Sequence, residues 1–200
     1  MKKNLAAQRK RAAASMPEIK AQEVQEIRFY RSNEKPYGVF SNLYRKAIWF
    51  EDREFPTAEH AYQAGKPVKE AVREWILSAP SPALVAMAAH GLYTWDIVPN
   101  WSRIKLARMR EVLLAKFSQH EDLRKLLLST GNARLIEAGR TDNPVNREWG
   151  EVNGKGLNKL GILLMEVREE LRGTATENKK KGKKVATSSK RRGNGLNAAA

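Results

Sequence analysis

The sequence predicts a small α+β domain that is predominantly helical, with a few short strands. Three observations support this fold class. Apolar residues recur at helical spacing through most of residues 68–171. Strand-like alternation is confined to short stretches bounded by turn residues. An apolar share of 42% in 200 residues is enough to fill one core, so one folded body is expected over residues 25–172.

A strand and a hairpin are expected near the start of this body. The stretch "EIRFYRS" at residues 26–32 is typical of a short strand. The stretch "KAIWFEDREFPT" at residues 46–57 predicts a hairpin that turns at Glu51–Asp52. Pro56 ends the second strand, and Thr57 is the expected N-cap of the helix that follows.

Helices are predicted over most of the remaining body. Ser81 and Pro82 form an N-cap and first-turn pair, and Gly91 ends that helix. The stretch "ARLIEAG" at residues 133–139 fits either a strand or a helical turn, and Gly173 is the expected cap of the last helix. The inward faces are predicted from helical spacing: Val68, Val72, Trp75 and Ile76; Leu106, Met109, Val112, Leu113 and Phe117; and Leu160, Leu163, Leu164, Val167 and Leu171.

The net charge of +15 is concentrated at the two ends of the chain. Residues 1–16 carry five basic and no acidic residues, and residues 173–200 carry eight basic residues against Glu177. We therefore expect basic, disordered arms over residues 1–24 and 173–200. Such arms favour non-specific nucleic-acid contact, a nuclear localisation signal if the host has a nucleus, or merely a solubilising role.

Composition excludes several kinds of chemistry. The absence of cysteine excludes disulfides, thiolate nucleophiles and cysteine-based zinc sites. His60, His90 and His120 lie 30 residues apart, without the spacing of a helical zinc-peptidase motif. No apolar run approaches the ~18 residues of a membrane helix. We therefore expect a soluble, cytoplasmic protein with no metal and no cofactor.

Glu59 is the main candidate for a catalytic side chain. It lies in "FPTAEHAYQAGK", residues 55–66, in the first turn after Thr57. The helix dipole stabilises a carboxylate there by roughly 0.3–1 kcal/mol, which is by itself a sufficient structural reason for a glutamate. Gln63 and Lys66 fall on the same helical face, which gives a carboxylate, an amide and a cation in a row. Such a row suits a phosphorylated or ribosylated ligand, although a solvated lysine on a helix face is an equal alternative.

An ordered series of motifs resembles the NADAR family, also called YbiA-like. The motifs run through residues 28–172, which is nearly the whole predicted body, and the two arms lie outside them. They are "FY" and "YGVFSN" (29–30 and 37–42), "FPTAEHAYQAGK" (55–66), "NWSRIKLARMREVLLAKF" (100–117), "LLLSTGNARLIE" (126–137) and "WGEVNGKGLNKLGILLMEVREEL" (149–171).

The resemblance implies an N-glycosidase that hydrolyses the bond between ribose C1′ and a nitrogen. Substrates in the family are phosphoribosylated amino-pyrimidine intermediates of riboflavin synthesis and, in other branches, ADP-ribose attached to guanine in DNA. The essential glutamate of the family corresponds to Glu59, and its tryptophan to Trp101, which would stack on the base or sugar. A core position at a helix start is the alternative for Trp101.

The remaining binding residues are assigned from the matching motifs. Tyr30, Gln63 and Trp149 are expected to bind substrate, and Lys66 to meet a phosphate. Asn42 and Asn158 could hydrogen-bond to hydroxyls or the base, or could equally serve as local caps.

The chain departs from the family pattern at two places. The family carries an acidic stretch before "WG", whereas this chain has "RTDNPVNREWG". Asp142 is taken as the second catalytic carboxylate, although Asn146 stands closer to the expected spacing. Leu92 occupies a position where an arginine is expected, which implies a changed phosphate site with Arg103 or Arg147 as a compensating cation.

Two functions follow from these residues. The first is hydrolysis of an N-glycosidic bond on ADP-ribosylated guanine in nucleic acid or on a phosphoribosylamino-pyrimidine, with Glu59 as the chief carboxylate. The alternative is a non-catalytic module that binds ADP-ribose or a nucleotide and holds nucleic acid through the basic arms.

Overall fold

A computed structural model describes residues 25–174. The arm predicted over residues 1–24 and nearly all of the tail predicted over residues 173–200 lie outside the described residues. Within residues 25–174, no helix is long and apolar enough to cross a membrane.

The described chain alternates short strands with seven α-helices, as the α+β prediction required. In chain order the elements are β1 (Glu26–Phe29), a 3₁₀ helix (Tyr37–Phe40), β2 (Ile48–Phe50), β3 (Arg53–Phe55), α1 (Ala58–Ala64), α2 (Glu70–Leu77), α3 (Pro82–His90), a second 3₁₀ helix (Thr94–Asp96), α4 (Trp101–Gln119), α5 (Glu121–Ser129), β4 (Arg134–Glu137), α6 (Pro144–Trp149) and α7 (residues 159–174).

The strands form two separate pairs. β1 pairs with β4 in parallel, with Ile27 opposite Leu135 and Phe29 opposite Glu137. The stretch that fitted either a strand or a helical turn is therefore a strand. β2 and β3 form the predicted antiparallel hairpin, whose turn residues Glu51–Asp52 both have positive φ, at 49° and 58°.

The main core forms where α4, α5 and α7 pack over the β1–β4 pair. The predicted inward faces of α4 and α7 are confirmed, because all their predicted residues are buried except the partly buried Leu106. The largest fully buried side chains of this core include Phe29, Phe40, Met109, Leu113, Phe117, Leu127, Leu135 and Leu160.

Two predictions about helices are wrong. Of the face predicted over residues 68–76, Ile76 is buried and Val72 is partly buried on α2, but Trp75 is 61% exposed, and Val68, which precedes the helix, is 51% exposed. This helix contributes only a narrow face to the core. The last helix does not end at Gly173, which is itself helical and is followed by a helical residue 174.

The predicted helix starts are confirmed. The Thr57 side chain accepts a hydrogen bond from the His60 N–H at the start of α1, and the Ser81 side chain accepts one from the Leu84 N–H at the start of α3. Each cap satisfies a backbone donor that has no partner within its helix.

Gly161→Ala should destabilise the fold, because a Cβ at this position of α7 would overlap the backbone carbonyl oxygen of Leu135 in β4. We expect a loss of about 1–3 kcal/mol in the free energy of unfolding, measured by urea denaturation. Gly173→Ala is the matched control on the same helix, because a Cβ there meets no atom within 4 Å. Equal stabilities of the two variants would contradict the packing of α7 on β4.

Candidate active site

A cavity of about 260 Å³ lies between α1, α3, α4, the end of β4 and α6. It collects side chains from segments that are far apart in the chain. The lining residues are Tyr30, Arg31, Ser41, Asn42, Leu43, Glu59, Tyr62, Gln63, Ala86, His90, Met109, Glu137, Val145, Asn146, Trp149 and Leu160.

Helix α1 brings Glu59 into this cavity. All seven residues of the helix are buried, so its polar side chains point into the protein. Thr57 caps the helix, and the Glu59 N–H donates a hydrogen bond to the Asn42 carbonyl oxygen at 3.0 Å. The Thr57 cap and this hydrogen bond therefore fix the position of Glu59 at the start of the helix.

The Glu59 carboxyl group is almost fully removed from water, with an exposed fraction of 8%. Its Oε1 accepts a hydrogen bond from Gln63 Nε2 at 2.8 Å. Burial raises the pKa of Glu59 to about 7, and the Gln63 hydrogen bond and the positive charge of Lys66 partly oppose this rise. Glu59 can therefore exist in either protonation state near neutral pH.

Glu137 is a second carboxyl group in the same cavity, and it is partly buried. It is the last residue of β4, and Asn158 fixes this strand end by two hydrogen bonds. Asn158 Oδ1 accepts from the Glu137 N–H at 3.1 Å, and Asn158 Nδ2 donates to the Leu135 carbonyl oxygen at 2.8 Å. Burial and, to a lesser extent, the negative charge of Glu59 together raise the pKa of Glu137 to about 7.

The surroundings of the two carboxyl groups favour different protonation states. Glu59 has a hydrogen-bond donor in Gln63 and a nearby cation in Lys66, and both favour its ionised form. The two causes that shift the pKa of Glu137, burial and Glu59, both favour its protonated form. When the pair holds one proton, that proton resides on Glu137.

A fully buried lysine fixes the loop that carries Asn42. Lys116 on α4 donates hydrogen bonds to the carbonyl oxygens of Val39 at 2.6 Å and Ser41 at 2.9 Å. Its exposed fraction is 0%, and burial lowers the pKa of its ammonium group to about 7. Because the Asn42 carbonyl in turn holds the Glu59 N–H, Lys116 positions the start of α1.

Two amide side chains in the cavity lining have an unpaired acceptor. Asn42 Nδ2 donates to Met109 Sδ at 3.2 Å, and Gln63 Nε2 donates to Glu59. These contacts fix the orientation of both amides. The carbonyl oxygens of Asn42 and Gln63 are buried and have no hydrogen-bond partner among residues 25–174. A substrate N–H or O–H group would satisfy them.

The rest of the lining supplies a cation, a neutral imidazole and aromatic rings. Arg31 is exposed and borders the cavity. Burial, followed by the charge of Lys66, lowers the pKa of His90, so its ring is neutral at pH 7. Tyr62 and Trp149 meet edge to face with ring centroids 5.5 Å apart.

The structure brings five of the nine predicted site residues together. Glu59, Tyr30, Asn42, Gln63 and Trp149 all line the cavity.

The other four lie outside the lining. Trp101 packs against Tyr62 with ring centroids 5.4 Å apart, and Lys66 Nζ donates to the Ala89 carbonyl oxygen at 2.5 Å. Asn158 supports the end of β4, as described above. Asp142 is exposed and pairs with Arg147 at 2.5 Å. Arg147 is therefore engaged by this carboxylate.

Sequence reasoning missed several lining residues, of which Glu137 has the greatest chemical consequence. A signal was present, because Glu137 ends the apolar stretch "RLIE" and polar residues at strand ends commonly form sites. Asn146 was noted only for its spacing before Trp149, and it does line the cavity. Tyr62, Arg31 and His90 carried no local signal that distinguishes them from structural residues.

Among residues 25–174, no group of three or more His, Asp or Glu side chains is placed to hold a metal ion.

The family model for the NADAR domain matches residues 28–172. The chain belongs to the NADAR family. The family indicated by the sequence motifs is thereby confirmed, and its match covers the folded body and not the arms. A solved NMR structure of Escherichia coli YbiA is similar to the chain, with a TM-score of 0.69 and 38% identity over 78% of this chain and 90% of that one.

Curated relatives extend this similarity. The chain is 39% identical over 160 residues to N-glycosidase YbiA of Escherichia coli K12, covering 76% of this chain and 96% of that protein. It is 39% identical over 141 residues to an N-glycosidase of Nostoc punctiforme, covering 69% of this chain and 88% of that protein. It is 32% identical over 173 residues to the chloroplastic riboflavin biosynthesis protein PYRR of Zea mays, covering 79% of this chain but 27% of that protein.

Glu59→Gln should make the protein more stable at pH 8 but not at pH 4. Below the ordinary pKa of 4.5 the carboxyl group is protonated in both the folded and unfolded states. Between pH 4.5 and about 7 the unfolded chain releases this proton while the folded protein keeps it, so the wild type loses stability as pH rises. We expect a gain of about 2–3 kcal/mol above pH 7, measured by urea unfolding across pH.

Asp142→Asn is the control, because this exposed carboxylate has its pKa lowered by Arg147. Its effect should have the opposite sign: a small loss of stability at neutral pH that vanishes in acid. A Glu59→Gln variant with the same stability gain at both pH values would contradict the raised pKa.

Proposed function

We propose that this enzyme hydrolyses the bond between ribose C1′ and a nitrogen of an amino-substituted base, with Glu59 and Glu137 as its two catalytic carboxyl groups. Membership of the NADAR family, whose relatives are named N-glycosidases, makes the chain an N-glycosidase. The substrate and the residue roles are the proposal.

One observation carries the assignment of roles. The buried Glu59 and the partly buried Glu137 line one cavity, and the pKa of each is raised to about 7, chiefly by removal from water. Carboxyl groups whose pKa values are matched to neutral pH serve well as a general base and a general acid. A purely structural glutamate is usually ionised and paired with a cation, whereas neither Glu59 nor Glu137 forms an ion pair among residues 25–174.

The proposed hydrolysis uses Glu59 in its ionised form and Glu137 in its protonated form. As the C1′–N bond breaks, its electron pair goes to the nitrogen and positive charge develops on the ribose ring. The ionised Glu59 stabilises this charge more in the transition state than in the ground state. Glu137 gives its proton to the departing nitrogen. Water then adds to C1′, and its proton goes to Glu59, which leaves a free ribose hydroxyl and an N–H group.

The cavity favours a substrate that is rich in hydrogen-bond donors. Its unpaired acceptors are the carbonyl oxygens of Asn42 and Gln63. Both an amino-pyrimidine and guanine offer exocyclic amino groups, and ribose offers hydroxyls. Arg31 borders the cavity as an exposed cation and could meet a phosphate, in place of the arginine that the family pattern would set at Leu92.

The size of the cavity bears on the choice between the two substrate classes. Its volume of about 260 Å³ is near the low end for ligand pockets, which run from about 300 to 1,000 Å³. It therefore encloses the ribosylated base, and the remainder of a larger substrate would lie outside the mouth. The net charge of +15, which lies mainly in the two arms, favours ADP-ribosylated guanine in nucleic acid over the small riboflavin precursor.

Glu59→Gln and Glu137→Gln should each lower kcat by about 10²–10⁴, because each removes one member of the acid–base pair. Wild-type kcat/KM should be bell-shaped around pH 7, since activity needs one carboxyl group ionised and the other protonated. Glu137→Gln should remove the decline on the alkaline side. The measurement is product release by chromatography on ADP-ribosylated guanine DNA and on a phosphoribosylamino-pyrimidine.

Asp142→Asn separates the two assignments of the second carboxylate. We expect this variant to keep near-wild-type turnover, because Asp142 lies outside the cavity and pairs with Arg147. A large loss in Asp142→Asn with no loss in Glu137→Gln would reverse the assignment. Full activity of Glu59→Gln on both substrates would overturn the proposed function.

A further inference from the structure

Two exposed aromatic side chains follow shortly after the cavity residue His90 in the sequence. Tyr93 and Trp95 are 65% and 70% exposed. Their rings are nearly parallel, with centroids 4.5 Å apart and an interplanar angle of 11°. The stacked Tyr93–Trp95 pair thus presents flat apolar ring surface to solvent.

This pair is held on a well-fixed turn. The second 3₁₀ helix contains Trp95, and the Asp96 N–H donates to the Tyr93 carbonyl oxygen at 3.0 Å. The Val68 N–H donates to the Asp96 carbonyl oxygen at 2.9 Å, which ties the turn to the segment after α1. The turn begins three residues after His90, which lines the cavity.

Exposed aromatic surface favours a binding partner, because covering each ring removes apolar area from water and lowers the free energy. Nearby acidic groups do not make this surface repulsive to an anion. Asp96 lies 3.9 Å from Lys69, Glu70 lies 2.7 Å from Arg73, and Glu74 pairs with Arg53. Every acidic residue of the 68–100 segment therefore has a cationic partner, and the net charge of +15 lies mainly in residues 1–16 and 173–200.

We propose that the Tyr93–Trp95 pair is a stacking platform for an unpaired base of single-stranded nucleic acid that continues beyond the cavity. This inference rests on the proposed function, and it concerns the part of the substrate that the 260 Å³ cavity does not enclose. A base stacks on an exposed ring whatever its identity, while the basic residues of the two arms attract the phosphates. The platform supplies affinity without sequence preference.

The test is binding of a fluorescein-labelled single-stranded DNA of about a dozen nucleotides to the full chain, followed by anisotropy across salt concentrations. We expect Trp95→Ala to weaken binding about 5- to 100-fold at every salt concentration, because stacking of one base contributes about 1–3 kcal/mol. The slope of log affinity against log salt should stay unchanged, since no phosphate contact is lost. Trp95→Phe should restore most of the affinity.

Trp49→Ala is the matched control, because Trp49 is 58% exposed on the β2–β3 hairpin and does not line the cavity. It should bind like the wild type. An oligonucleotide without bases should bind wild type and Trp95→Ala equally. Wild-type affinity in Trp95→Ala or an equal loss in Trp49→Ala would overturn the platform. Self-association of the wild-type chain that Trp95→Ala abolishes would also overturn it, because the pair would then be a contact between copies of the chain.

The assay reads binding, so its outcome is separate from that of the proposed hydrolysis. Glu59→Gln should keep the platform's affinity for DNA while it loses turnover. If Glu59→Gln kept its turnover while Trp95→Ala lost affinity for DNA, the proposed catalytic role would be wrong and the proposed platform would be supported.

Discussion

Burial of the Glu59 carboxyl group is the constraint on which the site depends. A carboxylate that leaves water loses hydration worth several kcal/mol unless it is paired or protonated. Among residues 25–174, Glu59 has an amide donor in Gln63 and is influenced by the charge of Lys66, but it forms no ion pair. The pKa therefore rises to about 7, and a group that is usually inert at neutral pH can give or accept a proton.

The fold maintains this unfavourable placement through contacts that are remote in sequence. Lys116 of α4 holds the carbonyl oxygens of the loop before β2, and that loop receives the Glu59 N–H. The parallel pairing of β1 with β4 places Glu137 beside the same cavity, and Asn158 fastens that strand end. Removing the two carboxyl groups from water lowers the free energy of unfolding. Burial of the apolar core around Phe117 and Leu135 offsets this loss.

Local signals in the sequence were sufficient for the elements that depend on local chemistry. The cap at Thr57, the hairpin turn at Glu51–Asp52 and the buried face of α4 all follow from nearest-neighbour rules, and the structure has them. Glu59 entered the cavity as expected because its helix start was correctly placed. The pairing of β1 with β4 joins residues more than 100 positions apart, and no local pattern indicates it. Lys116 was missed because the carbonyl groups that it binds lie 77 and 75 positions away in the chain. Glu137 was missed because its place at a strand end gains meaning only once the partner strand is known. Trp75 was misjudged because helical spacing identifies an apolar face without saying what covers it.

Direct titration of the two carboxyl groups tests the central claim most closely. Carbon-13 NMR of the full chain, labelled at the glutamate side-chain carboxyl carbon, can follow both resonances, with Glu59→Gln and Glu137→Gln used for assignment. We predict that two resonances titrate near pH 7, and that the Glu137 midpoint falls when Glu59 is replaced, because the negative charge of Glu59 raises it. Midpoints near the ordinary value of 4.5 for both groups would contradict the account, since neither carboxyl group would then be held away from water.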